Sequence, residues 1–279
     1  MLDTFAYPVS ALMMLLHDLL SLWLVPDTGL TWVLSTVVLV CVVRLVLLRP
    51  AWVQLRAARR TALLQPQLAA LKRRHSKDPQ GYLTAARELR RSEGSSVASG
   101  LLPLLLQLPV FLGLYHLLAG FTAWGALGSN GIFSAEQVQS FAEATVFGVP
   151  LSAAIRTPAA LLQTLQPGLG TAQVVAVVLP LLLVAALATF LNGWRQHRRS
   201  RAVATPAPDA TRETDNPLAD SMRQVTGLMV WLAPLGLLLG GILFPLPLAM
   251  AVYWAVNGTW TTLQTQLMNA RLDRRYPAI

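Results

Sequence analysis

Residues 30–48 read LTWVLSTVVLVCVVRLVLL, nineteen positions apolar enough to cross a hydrocarbon layer of about 30 Å. One full charge, Arg44, interrupts them. A mid-span arginine costs roughly 2.5–3.5 kcal/mol on insertion scales, so its presence asks for a reason. Two reasons compete. Arg44 lies about five residues, or roughly 7–8 Å, past the middle of the stretch, and its stem can snorkel to the headgroups beside Arg49. Alternatively, it faces water inside the membrane and has a function there. The stretch alone leaves the two readings even.

The composition around it sets the class. Of 279 residues, 54% are hydrophobic and only 13% charged, and the mean hydropathy is +0.51. That is too apolar for a water-soluble domain and fits a chain that crosses the membrane several times. The lone Cys41 excludes a disulfide framework and reads first as a small apolar filler. A formal charge of +9 raises nucleic acid as a partner. The basic residues group by membrane side instead, so nucleic-acid binding is not expected as a primary role.

Upstream, residues 1–29 hold no Lys or Arg but three acids, Asp3, Asp18 and Asp27. Leu12, Leu15, Leu16, Leu19, Leu20 and Leu22 fall largely on one helical face, which predicts an amphipathic helix lying in the interface. Downstream, residues 49–100 are strongly basic. Helical stretches near 52–74 and 80–92, parted by the breaker Ser76-Lys77-Asp78-Pro79-Gln80-Gly81, predict a projecting hairpin. Leu55, Ala58, Ala62, Leu68 and Leu71 are expected to face Leu83, Ala86 and Leu89, and Pro66 to kink the first arm. A plain solvated basic loop is the competing reading of this segment.

Further spans are expected at 101–120, 172–191, 225–244 and 248–268. Between them lie a weakly polar connection over 121–171, a Pro/Ala/Thr/Asp-rich disordered linker over 192–224, and a short basic tail over 269–279. Segments 49–100, 195–224 and 271–279 hold 20 of the 22 basic residues. Five spans with this bias put the N-terminus outside and the C-terminus in the cytoplasm of a cell-membrane protein. The fold class is thus all-α. Its parts are five transmembrane helices, a cytoplasmic helical hairpin and an N-terminal interfacial helix.

Polar side chains then cluster at one depth. In the last span Tyr253, Asn257, Thr261 and Gln264 recur at helical spacing, and Gln107 and Arg44 lie at similar depth in the other spans. Interhelical hydrogen bonding explains Asn257 or Gln107 well. It leaves Arg44 without a carboxylate, because no Asp or Glu occurs in any of the five spans. An arginine without an acid needs water, which favours a wet cavity open to the cytoplasm. No phosphate-binding loop, metal-ligand cluster or nucleophile signature accompanies it, so no cofactor, metal or covalent catalysis is expected.

At this point the sequence resembles the YidC-type membrane protein insertases along nearly its whole length. The likeness rests on VVRLVLLRP ending the first span, LQPQLAALKRR at 64–74, GLLPLLLQLPVFLGLYHLL at 100–118, and FPLPLAMAVYWAVNGTWTTLQTQLM at 244–268. It implies five helices around a hydrophilic groove open to cytoplasm and lipid and closed to the outside. Arg44 matches the family's groove arginine, and Tyr253 and Trp254 stand where the family carries aromatic residues that contact substrate. Three departures are visible. Ser95, Ser96, Val97 and Ala98 replace a common Asn-Pro, only 29 residues precede the first span, and the tail after Met268 lacks a long basic extension. The short form without a large extracytoplasmic domain is therefore expected, and ribosome binding through the tail is not.

The function expected is insertion of single- and double-span proteins without nucleotide hydrolysis, and help in folding Sec-dependent ones. The groove residues would be Arg44, Gln107, Tyr253, Trp254, Asn257, Thr261 and Gln264. Arg73, Arg74, Lys77, Arg87, Arg90 and Arg91 of the hairpin would meet substrates or partners. Partners implied are nascent membrane proteins, lipids, the Sec translocon and the ribosome. The rival readings are a small channel or solute transporter with a blind-ended polar cavity, and a structural assembly factor.

Overall fold

The chain turns into helices wherever apolar runs lack breakers, and the breakers mark most of the corners. The computed structural model describes residues 3–76, 78–92, 112–113, 115–118, 121, 130–203 and 217–275. Residues 101–111, with Gln107, and most of the linker, 204–216, lie outside the described residues, as does Lys77.

Helix α1 spans Asp3–Ser21 and packs on α2, Gly29–Val46. Its leucines divide. Met13 and Leu16 are buried against the bundle, while Leu15, Leu19 and Leu22 face outward. Thr28 caps α2, its hydroxyl accepting from the Thr31 N–H. The helix can start there only because residue 29 is glycine, since a Cβ would sit 1.9 Å from the Thr145 carbonyl oxygen. A single turn at Leu47 separates α2 from α3, Leu48–Leu63.

A second break falls at Leu64, and α4, Gln65–Arg74, begins with Pro66 in its first turn. Proline thus opens a new helix where a kink was expected, because its missing N–H costs nothing at a helix start. Helix α5, Pro79–Ser92, returns along α4, with the Asp78 carboxylate accepting from the Gly81 N–H at 2.9 Å. The hairpin core is small: Leu64, Leu68 and Ala86, flanked by Leu71, Tyr82 and Leu89. Leu83 points to solvent and Tyr82 takes the inward place expected for it. The break at Leu64 also leaves Leu55 and Ala58 on α3, outside this cluster.

Between 130 and 170 the chain builds a cap at one end of the bundle. Helix α6, Ala135–Glu143, starts with a reciprocal capping box between Ser134 and Gln137. Strands β1 (Thr145–Val146) and β2 (Val149–Pro150) form a short antiparallel hairpin, which with a bridge between Asn130 and Phe133 makes up the β structure among the described residues. Its turn, Phe147-Gly148, has φ of 50° and 75°, the left-handed pair that two-residue hairpins favour. Helix α7, Ala159–Leu165, follows.

Three long helices complete the molecule: α8 (Thr171–Val203), α9 (Pro217–Leu243) and α10 (Leu248–Arg275). Helix α8 packs against both α9 and α10, and α10 also packs on α2. Among the described helices, Gly29–Val46 and Thr171–Arg199 are long and apolar enough to cross a membrane, and Gly227–Leu243 is a shorter apolar helix. The disorder expected over 192–224 does not reach its ends. Helix α8 runs on to Val203 because 192–203 contains no proline and, after Gly193, no glycine, and α9 starts at Pro217, which suits a first helical position. Likewise α10 continues past Met268 to Arg275. There the chain stops being apolar but does not stop being helical.

Candidate functional site

Arg44 is two residues before the end of α2 and reaches across to α10. Its Nε donates to the Asn257 Oδ1 at 2.9 Å and its Nη2 to the same oxygen at 2.5 Å. Two of the five guanidinium N–H groups are thereby used on one neutral acceptor. The charge itself is not neutralised. No carboxylate is recorded beside Arg44 among the described residues, whose ion pairs lie elsewhere. The side chain is half-buried, so the geometry is that of a fixed cation with donors to spare.

The stripe predicted on the last helix is present as one face of α10. Tyr253 is buried one turn from Asn257, towards the cap, and lies near Arg44. Thr261 lies one turn the other way, its hydroxyl bonded to the Asn257 carbonyl at 2.7 Å. Gln264 accepts from the Trp260 indole N–H at 2.8 Å, a partner that the spacing argument had not singled out. Trp254 is half-buried and packs against the main core. Arg44, Tyr253 and Asn257 are therefore brought together, Thr261 adjoins them, Gln264 lies farther along, and Gln107 is outside the described residues.

A different face of α10 is spent on packing. Gly258 lies against Ala185 and Ala188, where an added Cβ would be 3.1 Å from the Ala188 methyl. The Thr262 hydroxyl accepts from the Asn192 amide at 2.8 Å, joining α10 to α8. Polar residues on the last helix thus divide into interhelical glue on the α8 side and the Arg44 group on the α2 side. Spacing alone could not tell the two apart.

One end of the bundle is closed by aromatic packing. Trp32 is fully buried, stacks on His17 at 3.8 Å between ring centroids, and meets Phe141 edge-on at 5.2 Å. Phe121, Phe133 and Phe141 fill the space beside it. The Trp32 indole donates to Ser140 Oγ at 3.1 Å, and that hydroxyl donates to the Asp27 carboxylate at 2.6 Å. The cap is then tied to α10, whose Leu248 and Ala249 N–H groups donate to the Ala153 and Leu151 carbonyls at 2.8 and 3.1 Å. These last two bonds satisfy backbone donors that a helix start leaves open. The only sequence signals of this plug are the aromatic residues of 121–141 and the Ser134-x-x-Gln137 box.

The opposite end is basic. Asp273 of α10 pairs with Arg59 of α3 at 3.0 Å and with Arg199 of α8 at 3.1 Å, tying three elements together. Beyond them, Arg73, Arg74, Arg87 and Arg91 of the hairpin are exposed and Arg90 is half-buried. The hairpin cluster is separate from the main core.

Comparison with known proteins matches the chain to a family model described as 60Kd inner membrane protein over residues 23–275. The membrane protein insertase YidC of Corynebacterium efficiens is 35% identical, over 99% of this chain and 70% of that protein. Its counterpart from Mycolicibacterium paratuberculosis is 34% identical, over 98% of this chain and 76% of that protein. The Mycobacterium tuberculosis protein of the same name is 31% identical, over 99% and 75% respectively.

Proposed function

The chain belongs to the YidC-type membrane protein insertases, and from that membership we propose how this member inserts its substrates. It is a membrane protein whose partners are other membrane proteins and lipid, and its task is insertion, not covalent catalysis. In our reading, five helices cross the bilayer at 30–48, 101–120, 172–191, 225–244 and 248–268. The capped end lies outside and the basic end in the cytoplasm, following the positive-inside rule. A groove lined by Arg44, Gln107, Tyr253, Trp254, Asn257, Thr261 and Gln264 opens to the cytoplasm and to lipid.

The observation that carries this reading is the Arg44–Asn257 contact: a charge held at membrane depth by a neutral oxygen. A hydrophilic tail entering the groove offers a carboxylate in place of the amide. A carboxylate adds charge attraction and a second oxygen for a two-pronged bond, neither of which the amide offers. The tail is thereby received part-way across the membrane, and the aromatic cap keeps water from passing beyond it. The hairpin residues Arg73, Arg74, Lys77, Arg87, Arg90 and Arg91 meet the substrate first. Burial of the substrate's own apolar span, at about 0.8 kcal/mol per CH₂, then draws it into lipid without nucleotide. Cooperation with the Sec translocon and the ribosome belongs to the same reading, as does assistance to Sec-dependent proteins.

The test is reconstitution of the full chain into pure lipid vesicles with a short, phage-coat-like double-span substrate and no nucleotide. A protease-protected substrate fragment that needs the protein is the expected result. Solute leakage with no protected fragment would identify a channel and contradict the proposal.

A further inference from the structure

Helix α3 carries Arg49, Arg56, Arg59 and Arg60 and no acid. Three of these, at i, i+3 and i+4, share one face. Together with Leu63 and with Leu272 of α10, they line a small open cavity of about 40 Å³. The acid described beside it, Asp273, is already shared between Arg59 and Arg199. Arg56 lies over the Trp52 ring at 4.8 Å, and its Nε is buried and donates to no acceptor among the described residues. A buried charged donor without an acceptor is costly, and such a group in a native structure calls for a ligand, an ion or water.

Depth identifies the ligand. Leu272 lies 24 residues beyond Leu248, where α10 leaves the cap. That is about 36 Å along a helix axis, against a hydrocarbon layer of about 30 Å. The cavity therefore falls at the headgroup level of the cytoplasmic leaflet, and α3 begins there directly after α2. Guanidinium forks match phosphate oxygens in geometry and charge, and basic clusters beside a membrane helix read as sites for anionic lipid.

We propose that this cavity binds the phosphate of an anionic phospholipid, held by Arg56 and Arg60. Leu63 and Leu272 lie against its glycerol and first acyl carbons. The apolar walls and the depth favour lipid over free phosphate, although both offer the same oxygens. The site rests on the membrane placement given above but not on the insertion mechanism, and its test uses no insertion assay.

Native mass spectrometry of the detergent-solubilised full chain, with equal amounts of dioleoylphosphatidylglycerol and dioleoylphosphatidylcholine, reads it directly. The wild type should retain phosphatidylglycerol preferentially. The double substitution Arg56→Gln with Arg60→Gln should weaken that retention about tenfold, the loss of two charge-assisted contacts. Arg156→Gln, which removes one charge at the capped end, should leave it unchanged. Leu63→Trp should fill the cavity and lower retention with every arginine in place, and it decides the matter if the double variant does not fold. Equal retention of the two lipids by the wild type, or undiminished retention by both cavity variants, would overturn the proposal. So would displacement of phosphatidylglycerol by an equal concentration of inorganic phosphate, which would assign the site to a soluble anion.

Discussion

Arg44 is held by an acceptor that fixes its position without cancelling its charge, and this determines what substitutions there should do. Replacing it with Ala should reduce insertion of substrates with acidic tails more than of neutral-tailed ones. Arg44→Lys, which keeps the cation but not the two-pronged contact, should retain much activity. Asn257→Asp is the sharper test. It supplies an internal carboxylate, so the fold should persist while acidic-tailed substrates lose their advantage as they do in Arg44→Ala. Quantified protected fragments for a matched pair of substrates differing only in tail charge check all three. Equal losses for both tails would remove the electrostatic component. The sequence made Arg44 and the polar face of α10 legible, because charge in an apolar run and a helical repeat are both one-dimensional signals. It did not reveal which polar residues are glue: Thr262 and Asn192 pair across α8 and α10, and only the packing of Gly258 against Ala188 decides which face is which.

Elements differ in how far they depend on one another. Hairpin α4–α5 buries its own Leu64, Leu68 and Ala86 apart from the main core. Deleting 76–92 should therefore lower insertion while leaving the bundle folded, as judged by circular dichroism and thermal melting beside the vesicle assay. Undiminished insertion would restore the plain solvated loop. The cap behaves oppositely, since Trp32 joins α1, α2 and α6 through His17, Phe141 and Ser140. Trp32→Ala should cost about 3–5 kcal/mol, as large-to-small changes in a packed core do, and should appear as a lowered melting temperature. Helix positions were readable from breakers and apolar runs. The corners were less so, because Pro66 opens a new helix where a kink within one was expected, and 195–203 extends a helix although it lies in a segment read as disordered.

At the scale of the whole molecule, a cap at one end, a basic end opposite and a cation between them are the basis of the proposed groove, which water would enter from one side only. In a Cys41→Ala background, single cysteines replacing Thr261 and Leu238 probe this directly. Thr261 adjoins the Arg44 group, whereas Leu238 of α9 packs against the main core. A membrane-impermeant maleimide is applied to each face of oriented vesicles in turn, and labelling is scored by gel shift. Thr261→Cys should react from the cytoplasmic face alone and Leu238→Cys from neither. Equal protection of both positions, or reaction of Thr261→Cys from the outer face, would contradict a groove open only to the cytoplasm.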